Sequence, residues 1–250
     1  MHLKGKHALV TGGGSGIGLA IAQALAEQGA TVTITGRRQR VLDAVATNGI
    51  HGTAMDVRNE ADVVTKIAAI TKTHGPLQIC VANAGIAEGR PTDKTDMEFW
   101  RNMMATNLDG AFLTIREALT SMRQTDWGRV IAVSSIAGVR GLRGASCYTA
   151  TKHGLIGLTR ALSEEYMHDP YTFNALCPGY VDTPIVERNA VSISVRAGIS
   201  EKEARKTMIK ANRHKQLIEP SEVAAAALWL CLPGSQSVNG QAIQIAGGQM

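Results

Sequence analysis

The sequence predicts an α/β protein built on one doubly wound parallel sheet of about seven strands, with helices on both faces and a helical lid insertion. Two patterns predict this fold. Short apolar runs alternate with longer segments whose apolar residues recur at helical spacing. No repeat, linker or low-complexity tract interrupts the alternation along the 250 residues. We therefore expect a single domain over residues 1–250, with the lid at residues 185–219.

Composition narrows the class of protein. Hydrophobic residues make up 44% of the chain and charged residues 19%, as is typical of a globular protein. The first residues enter a strand-like run directly, and no apolar segment is long enough for a signal peptide or a membrane-spanning helix. We therefore expect a cytoplasmic protein with no membrane partner. The four cysteines show no CxxC or Cys/His ligand spacing, so neither a disulfide framework nor a metal site is expected.

The formal net charge of +5 has a local origin. Residues 196–215 carry two acidic side chains, Glu201 and Glu203, against seven basic ones: Arg196, Lys202, Arg205, Lys206, Lys210, Arg213 and Lys215. Both a solvated helix face and a surface for an anionic partner fit this charge. A nucleic-acid partner is not expected, because the segment has no interleaved aromatic residues and no recognised nucleic-acid-binding module.

A glycine-rich turn follows the first predicted strand, residues 6–11, and leads directly into a helix. In that context glycines let the backbone approach a pyrophosphate, and the amides at the helix start supply positive charge. The spacing Thr-Gly-x-x-x-Gly-x-Gly resembles the short-chain dehydrogenase/reductase family. The resemblance implies a Rossmann-like fold and a dinucleotide site formed here by Gly12, Ser15, Gly16, Ile17 and Gly18.

The end of the second predicted strand bears on which dinucleotide binds. This strand ends at Thr35, and Arg37 and Arg38 follow it. In a Rossmann unit an acidic residue near this point binds the ribose 2′-hydroxyl, whereas an arginine accommodates a 2′-phosphate. No acidic residue lies between Glu27 and Asp43. We therefore favour NADP(H), with NAD(H) as the alternative.

Two further strands end in segments that the family places at the cofactor. The third, residues 51–55, is followed by Asp56 and Val57, which match the family's adenine contact. The fourth, residues 78–82, precedes a segment similar to the family's Asn-Asn-Ala-Gly turn, with Ala82 in place of the first asparagine. The resemblance implies that this turn lies beside the cofactor and is formed by Asn83, Ala84 and Gly85.

A long helix is predicted next, opened by a capping-box pattern from Thr95 to Glu98 and continuing to about Met122. Asn107 lies inside it, 28 residues before Ser135. The resemblance implies that Asn107 distorts the local backbone and holds a water in line with the catalytic lysine.

The fifth predicted strand, residues 129–134, ends in serines at its carboxyl end, where open α/β sheets bind ligands. Ser135 precedes Tyr148 by 13 residues, which is the family's spacing for its catalytic serine. The resemblance implies that Ser135 binds and orients the substrate's carbonyl oxygen, with Ser134 as the competing assignment.

Tyr148 and Lys152 are four residues apart, so on a helix their side chains share one face. A cation this close to a phenol favours its ionised form and so lowers its pKa. The resemblance implies that Tyr148 donates a proton to the substrate. It also implies that Lys152, together with the charge of the oxidised nicotinamide, lowers the pKa of Tyr148 and holds the ribose hydroxyls. Asn107 would then complete a proton path to solvent.

The sixth predicted strand, residues 171–176, leads into a Pro-Gly segment that resembles the family's turn over the nicotinamide. Its implied cofactor contacts are Pro178, Gly179, Val181 and Thr183. Residues 185–219 have no strand character and read as two lid helices, the second capped by Ser200 and Glu203. Pro220 starts a last buried helix before a final strand at residues 241–246.

The predicted function is hydride transfer between NADP(H) and a carbonyl or secondary alcohol. The insertion and the closing Pro-Ser-Glu-Val segment resemble those of family members that act on 3-oxoacyl thioesters of coenzyme A or a carrier protein, on polyketide intermediates or on hydroxybutyrate. The basic lid with Arg90, Arg140 and Arg143 would receive the phosphates. A hydroxybutyrate substrate is disfavoured because Ala87 and Ala137 stand where its carboxylate would need polar residues.

Two other functions remain as alternatives. One is an NAD(P)-dependent dehydrogenase of a small or cyclic secondary alcohol or ketone. The other is a nucleotide-sensing binding protein, a class that typically loses the catalytic tyrosine or lysine, whereas this chain keeps both. The family resemblance also implies a homotetramer.

Overall fold

Seven parallel strands form one sheet in the computed structural model, which describes residues 1–249 but not the side chain of Arg196. The strands are β1 (His7–Thr11), β2 (Thr31–Gly36), β3 (Ile50–Ala54), β4 (Ile79–Ala82), β5 (Gly128–Val133), β6 (Tyr171–Pro178) and β7 (Ala242–Ile245). Their spatial order is β3-β2-β1-β4-β5-β6-β7. The order therefore reverses between β1 and β4, which opens a crevice at the carboxyl ends of these strands.

Helices cover both faces of the sheet, and the predicted fold is confirmed. They are α1 (Gly16–Glu27), α2 (Gln39–Asp43), α3 (Glu60–His74), α4 (Met97–Met104), α5 (Gly110–Met122), α6 (Ser146–Glu165), α7 (Pro184–Ala197), α8 (Glu201–Ala211) and α9 (Pro220–Trp229). Helices α1 and α9 pack on one face, and α3, α5 and α6 pack on the other. Within residues 1–249 no helix is both long and apolar enough to cross a membrane.

Burial explains why the central strands read as continuous apolar runs. Every residue of β1, β4, β5 and β6 is buried, as expected of strands covered on both faces. On α6, Leu155 is buried against this sheet, and Leu158 and Leu162 pack beside the same core. These leucines therefore contribute to the chain's own core.

The predicted long helix is interrupted at its middle. A π-helical turn, Ala105–Asp109, joins α4 to α5, so that one continuous rod contains one wider turn. The N-cap of this rod is Asp96, whose carboxylate accepts from Phe99 N at 2.7 Å. The predicted cap at Thr95 was wrong, because the Thr95 hydroxyl instead donates to Pro91 O at 2.9 Å.

The insertion forms a small helical layer of its own. Helices α7 and α8 pack together around Val186, Ala190, Ala204 and Met208. The capping box at Ser200 is present as predicted, with both reciprocal hydrogen bonds to Glu203. Helix α7 starts directly after β6 and the Pro-Gly segment, so the insertion lies at the carboxyl edge of the sheet.

Candidate active site

Two adjoining cavities lie at the carboxyl edge of the sheet. The first, about 360 Å³, extends from the glycine turn after β1 to the ends of β2 and β3, and we call it the glycine-turn cavity. The second, about 310 Å³, extends over the ends of β5 and β6 and the start of α6, and we call it the tyrosine cavity. Ile17, Gly85 and Thr183 line both cavities, so the two form one continuous site.

The glycine turn has the shape that a dinucleotide's phosphates require. Gly12 and Gly16 have φ of 66° and 55°, a conformation that side chains other than glycine rarely adopt. A Cβ on Gly18 would lie 2.4 Å from Gly12 O, so only glycine lets α1 approach β1 this closely. The Ser15 side chain makes no cap hydrogen bond, and the first turn of α1 contains no acidic residue. The backbone N–H groups at the start of α1 are therefore not neutralised by a protein side chain, and the positive end of the helix dipole is available to an anion.

The fourth strand holds this turn in place. Asn83 Nδ2 donates to Thr11 O at 2.8 Å and to Gly12 O at 3.3 Å. The Thr11 hydroxyl accepts from the backbone amides of Asn83 and Ala84, each at 3.0 Å. Asn83 and Ala84 therefore shape the turn through the protein's own hydrogen bonds, while both also line the cavity.

Cationic groups surround the far end of the glycine-turn cavity. Arg37 and Arg38, predicted to bind the cofactor, line it, and so do Asp56 and Val57. The sequence reading missed Arg58, which lines the same cavity and pairs with Asp56 at 2.6 Å. The hydrogen bond from Arg58 is the main reason that the pKa of Asp56 lies below its usual value. The position of Arg58, two residues after Asp56, was the available signal for it.

Asn107 lies in the π-helical turn, so the predicted backbone distortion is present. Its buried side chain forms two hydrogen bonds with the main chain of Ile86. Oδ1 accepts from Ile86 N at 2.8 Å, and Nδ2 donates to Ile86 O at 2.9 Å. Nδ2 also lies 3.2 Å from the Thr151 hydroxyl. A Cβ on Gly85 would be 3.2 Å from Asn107 Oδ1 and 3.7 Å from Lys152 Nζ, so Asn107 and Lys152 both border the space on that side of Gly85.

The two serines after β5 point in different directions. The Ser135 side chain hydrogen bonds to Tyr148, and both residues line the tyrosine cavity. The Ser134 hydroxyl donates to Lys152 O at 3.0 Å, which ties β5 to α6. A Cβ on Gly138 would lie 2.4 Å from Ser134 Oγ, so the turn after Ser135 needs glycine to pack on this bond. The geometry therefore favours Ser135 over Ser134 as the partner of Tyr148.

Tyr148 and Lys152 share one face of α6, as their spacing predicts. Lys152 Nζ lies 5.7 Å from the centre of the Tyr148 ring and donates to Val133 O at 2.9 Å. Burial lowers the pKa of Lys152 to about 8.

Burial also raises the pKa of Tyr148, and the neighbouring Tyr180 raises it further, while the hydrogen bond from Ser135 opposes both effects. Desolvation of the phenol is the largest of these three effects. The expectation that Lys152, together with the charge of the oxidised nicotinamide, lowers the pKa of Tyr148 concerns the cofactor-bound protein and stays a prediction.

The Pro-Gly segment and α7 complete the tyrosine cavity. It is lined by the predicted cofactor contacts Pro178, Gly179, Val181 and Thr183, and Thr183 also lines the glycine-turn cavity. The sequence reading missed other lining residues, among them Tyr180, Glu88, Asn189 and Ile193. The dipeptide Pro-Gly before Tyr180 was a signal for that residue. The others belong to loops or helix faces that only the tertiary fold brings to the cavity.

The arginines proposed to receive phosphates are dispersed. Arg143 lines the tyrosine cavity, whereas Arg140 does not, although its charge opposes the burial that raises the pKa of Tyr180. The Arg90 guanidinium lies 4.0 Å from the centre of the Phe99 ring and pairs with Asp96 at 3.1 Å. Among the described basic side chains of α8, none lines either cavity, and Arg205 pairs with Asp182 at 2.9 Å.

Of the two alanines that disfavour a hydroxybutyrate substrate, one lies at the tyrosine cavity and the other does not. Ala137 is fully buried and does not line the tyrosine cavity, so its side chain says nothing about a substrate carboxylate. Ala87 does line the cavity and keeps its place in that argument.

Comparison with known proteins gives a consistent result. The family model described as short chain dehydrogenase matches residues 6–192. D-beta-hydroxybutyrate dehydrogenase of Cupriavidus necator is 35% identical over 98% of this chain and 98% of that protein. The 3-oxoacyl-(acyl-carrier-protein) reductase FabG of Vibrio cholerae is 33% identical over 99% of this chain and 98% of that protein.

Solved structures agree in fold as well as in sequence. The crystal structure of an actinorhodin polyketide ketoreductase variant with NADPH superimposes with a TM-score of 0.94, at 32% identity over 98% of this chain and 97% of that chain. The structure of levodione reductase superimposes with a TM-score of 0.92, at 32% identity over 99% of this chain and 98% of that chain.

Proposed function

The chain belongs to the short-chain dehydrogenase/reductase family, and on that premise we propose that it is an NADP(H)-dependent ketoreductase whose proton donor is Tyr148. It is a nicotinamide-dependent oxidoreductase that interconverts carbonyl and secondary alcohol groups. The observation that carries the finer proposal is the convergence of Ser135, Tyr148 and Lys152 in the tyrosine cavity, directly beside the glycine turn.

Each side chain has a distinct task in this proposal. When bound, the nicotinamide supplies or accepts the hydride. Ser135 donates a hydrogen bond to the substrate's carbonyl oxygen and so stabilises the negative charge that develops there. Tyr148, which burial keeps protonated, gives that oxygen its proton. Lys152 has a pKa of about 8, so it is a cation at neutral pH and stabilises the phenolate that remains.

Asn107 and Lys152 have supporting roles. Lys152 would hold the ribose hydroxyls and return a proton to Tyr148, and Asn107, beside Gly85, would complete the proton path to solvent. The residues that would hold the pyrophosphate are those of the glycine turn, with Asp56 and Val57 toward the adenine.

Replacing Tyr148 by phenylalanine tests the proton donor. We expect turnover to fall at least about a hundredfold, because general acid catalysis contributes about that much or more. Tyr166→Phe is the matched control, since Tyr166 lies near the end of the same helix and outside both cavities. Retained turnover in Tyr148→Phe would exclude Tyr148 as the donor.

The cofactor preference rests on Arg37 and Arg38, which line the glycine-turn cavity where a 2′-phosphate would be recognised. We expect a higher kcat/KM with NADPH than with NADH, and we expect Arg37→Ala and Arg38→Ala to reduce that ratio. Arg40→Ala is the control, because Arg40 is exposed and does not line the cavity. An unchanged ratio in both variants would assign the preference to other groups.

The preferred substrate class is a 3-oxoacyl thioester, and the similarity to ketoacyl reductases supports it. A small cyclic ketone is the second candidate, supported by the similarity to levodione reductase and by apolar lining from Ile136, Leu142, Val186 and Ile193. The test compares acetoacetyl-CoA, its truncated N-acetylcysteamine thioester and a cyclic ketone. Higher kcat/KM for the coenzyme A thioester than for the truncated one, with salt dependence, would assign a role to Arg143 and the basic segment.

The assembly and location proposed for this enzyme are a cytoplasmic homotetramer of single-domain subunits, with residues 185–219 as the lid. The similarity to the short-chain dehydrogenase/reductase family supports the assembly. Light scattering tests the oligomeric state, and a mass of one or two chains would contradict it.

A further inference from the structure

The turn that follows α8 is built around a buried asparagine. The Asn212 side chain is fully buried, and its Oδ1 accepts from Tyr180 N at 3.2 Å. Its Nδ2 donates to Tyr180 O at 3.0 Å and to Gln216 O at 2.8 Å. One side chain therefore binds both main-chain polar groups of Tyr180 and closes its own turn.

The backbone of this turn is strained. Within residues 1–249, Lys215 is the one residue other than glycine with positive φ, at 60°. Its amide donates to Asn212 O at 2.8 Å. A non-glycine residue persists in this conformation when the surrounding structure fixes it, and such strain often accompanies a functional constraint.

Further main-chain bonds fasten Tyr180 on the same side. Ile218 N donates to Tyr180 O, and Asp182 N donates to Ile218 O, each at 2.9 Å. A Cβ on Gly179 would lie 2.8 Å from Asn212 Oδ1, so this close approach requires glycine. The segment from Gly179 to Asp182 is therefore held against Asn212 and Ile218 at the end of the insertion.

Tyr180 connects the turn after α8 to the tyrosine cavity. Its side chain lines the tyrosine cavity, and it lies close enough to Tyr148 to influence that phenol. Asn212 itself lines neither cavity. Any effect of Asn212 on the substrate must therefore pass through the placement of Tyr180.

We propose that Asn212 is a positioning residue that fixes Tyr180 as a wall of the substrate cavity and thereby sets the KM for the carbonyl substrate. The proposal rests on the proposed function of the tyrosine cavity. A displacement of about 1 Å in a positioning element lowers catalytic efficiency up to about a hundredfold. NADPH affinity should change far less than KM, because outside its own turn Asn212 touches the Pro-Gly segment at the nicotinamide end of the site, and its bonds do not reach the glycine turn, which would hold the pyrophosphate.

A double-mutant cycle separates positioning from general stability. Asn212→Ala, Tyr180→Ala and the double variant are assayed for ketone KM and kcat at saturating NADPH, NADPH Kd and Tm. We expect Asn212→Ala to raise KM at least about tenfold and to change the NADPH Kd less than about twofold. In the Tyr180→Ala background the same change should add less than about twofold, because residues that act through one another are not additive.

Asn239→Ala is the matched control. Asn239 also holds a main-chain amide, that of Phe173 at 2.7 Å, but it lies outside both cavities. We expect this variant to lower Tm without raising KM. An unchanged KM in folded Asn212→Ala, additive effects in the cycle, or an equal loss of NADPH affinity would each overturn the proposal.

Asn212→Asp provides a second measurement if the alanine variant does not fold. In this variant an ionised carboxylate accepts from Tyr180 N but donates to neither carbonyl, whereas the protonated acid recovers one donor. KM should therefore fall as pH is lowered in this variant and not in the wild type, and the same profile in both would refute the proposal. Loss of turnover in Tyr148→Phe is a separate result, so the proton-donor assignment and the role of Asn212 can fail independently.

Discussion

Replacing Lys152 by methionine should remove activity and at the same time make the protein more stable. Lys152 is 5% exposed, and its ammonium group donates a hydrogen bond to Val133 O. Burial disfavours the charged form and lowers the pKa from 10.5 to about 8. The native protein therefore holds a cation at neutral pH at a cost in folding free energy.

The size and the pH window of this cost follow from the two pKa values. A shift from 10.5 to about 8 corresponds to about 3 kcal/mol. Between these values the unfolded chain keeps the proton and the native state releases it, so the unfolding free energy of the wild type rises with pH. The cost is complete below pH 8 and absent above 10.5. Losing the bond to Val133 O offsets about 1 kcal/mol, which leaves a net gain of about 2 kcal/mol at pH 7.

Urea unfolding of the ligand-free wild type and Lys152→Met at several pH values measures this difference. Lys202→Met is the control, because Lys202 is exposed on α8 and its replacement should change stability by less than about 0.5 kcal/mol at any pH. The reasoning is refuted if Lys152→Met is less stable than the wild type at pH 7, or if its advantage does not shrink between pH 8 and 10.

Other variants probe separate parts of the fold. His7 is buried, and its pKa is lowered from 6.5 to about 4. Its contribution to stability is therefore present above pH 6.5, and about 3 kcal/mol of it is lost as pH falls toward 4. In urea titrations, the unfolding free energy of His7→Gln should decrease less with falling pH than that of the wild type. Gly18→Ala places a Cβ 2.4 Å from Gly12 O, and calorimetry should find NADPH binding at least about tenfold weaker. Unchanged affinity would contradict the role of the glycine turn in holding the pyrophosphate. Arg205→Gln breaks an exposed pair and should lower Tm by less than about 4 °C, with a larger loss pointing to a buried role.

Local chemical signals explain how much of the structure the sequence predicts. Strands covered on both faces read as apolar runs, and their predicted ends differ from the observed ones by a residue or two. The glycine turn is recognisable because it combines a strand, glycines and a helix within a few residues of Thr11. Tyr148 and Lys152 are recognisable for the same reason, since a helix fixes the relation between residues four apart.

Features that depend on distant residues or on energetic balance were not predictable in this way. Asn212 binds Tyr180 across 32 residues of sequence, and nothing near either residue announces the contact. Whether the pKa of Tyr148 is raised or lowered depends on how deeply the fold buries the phenol. At the start of α4, Thr95 and Asp96 are both good N-cap residues, and only the path of the preceding loop decides between them.

The π-helical turn at Ala105–Asp109 also sets the angular phase of α5 relative to α4. Each residue of an α-helix advances the side-chain direction by about 100°, so a one-residue change in the length of this turn rotates everything that follows. Deleting one residue there would turn Ala111, Ile115 and Ala118 away from the sheet while α4 stayed in place. The two helices α4 and α5 therefore each pack with their own side-chain orientation. The length of the turn that contains Asn107 fixes one orientation relative to the other.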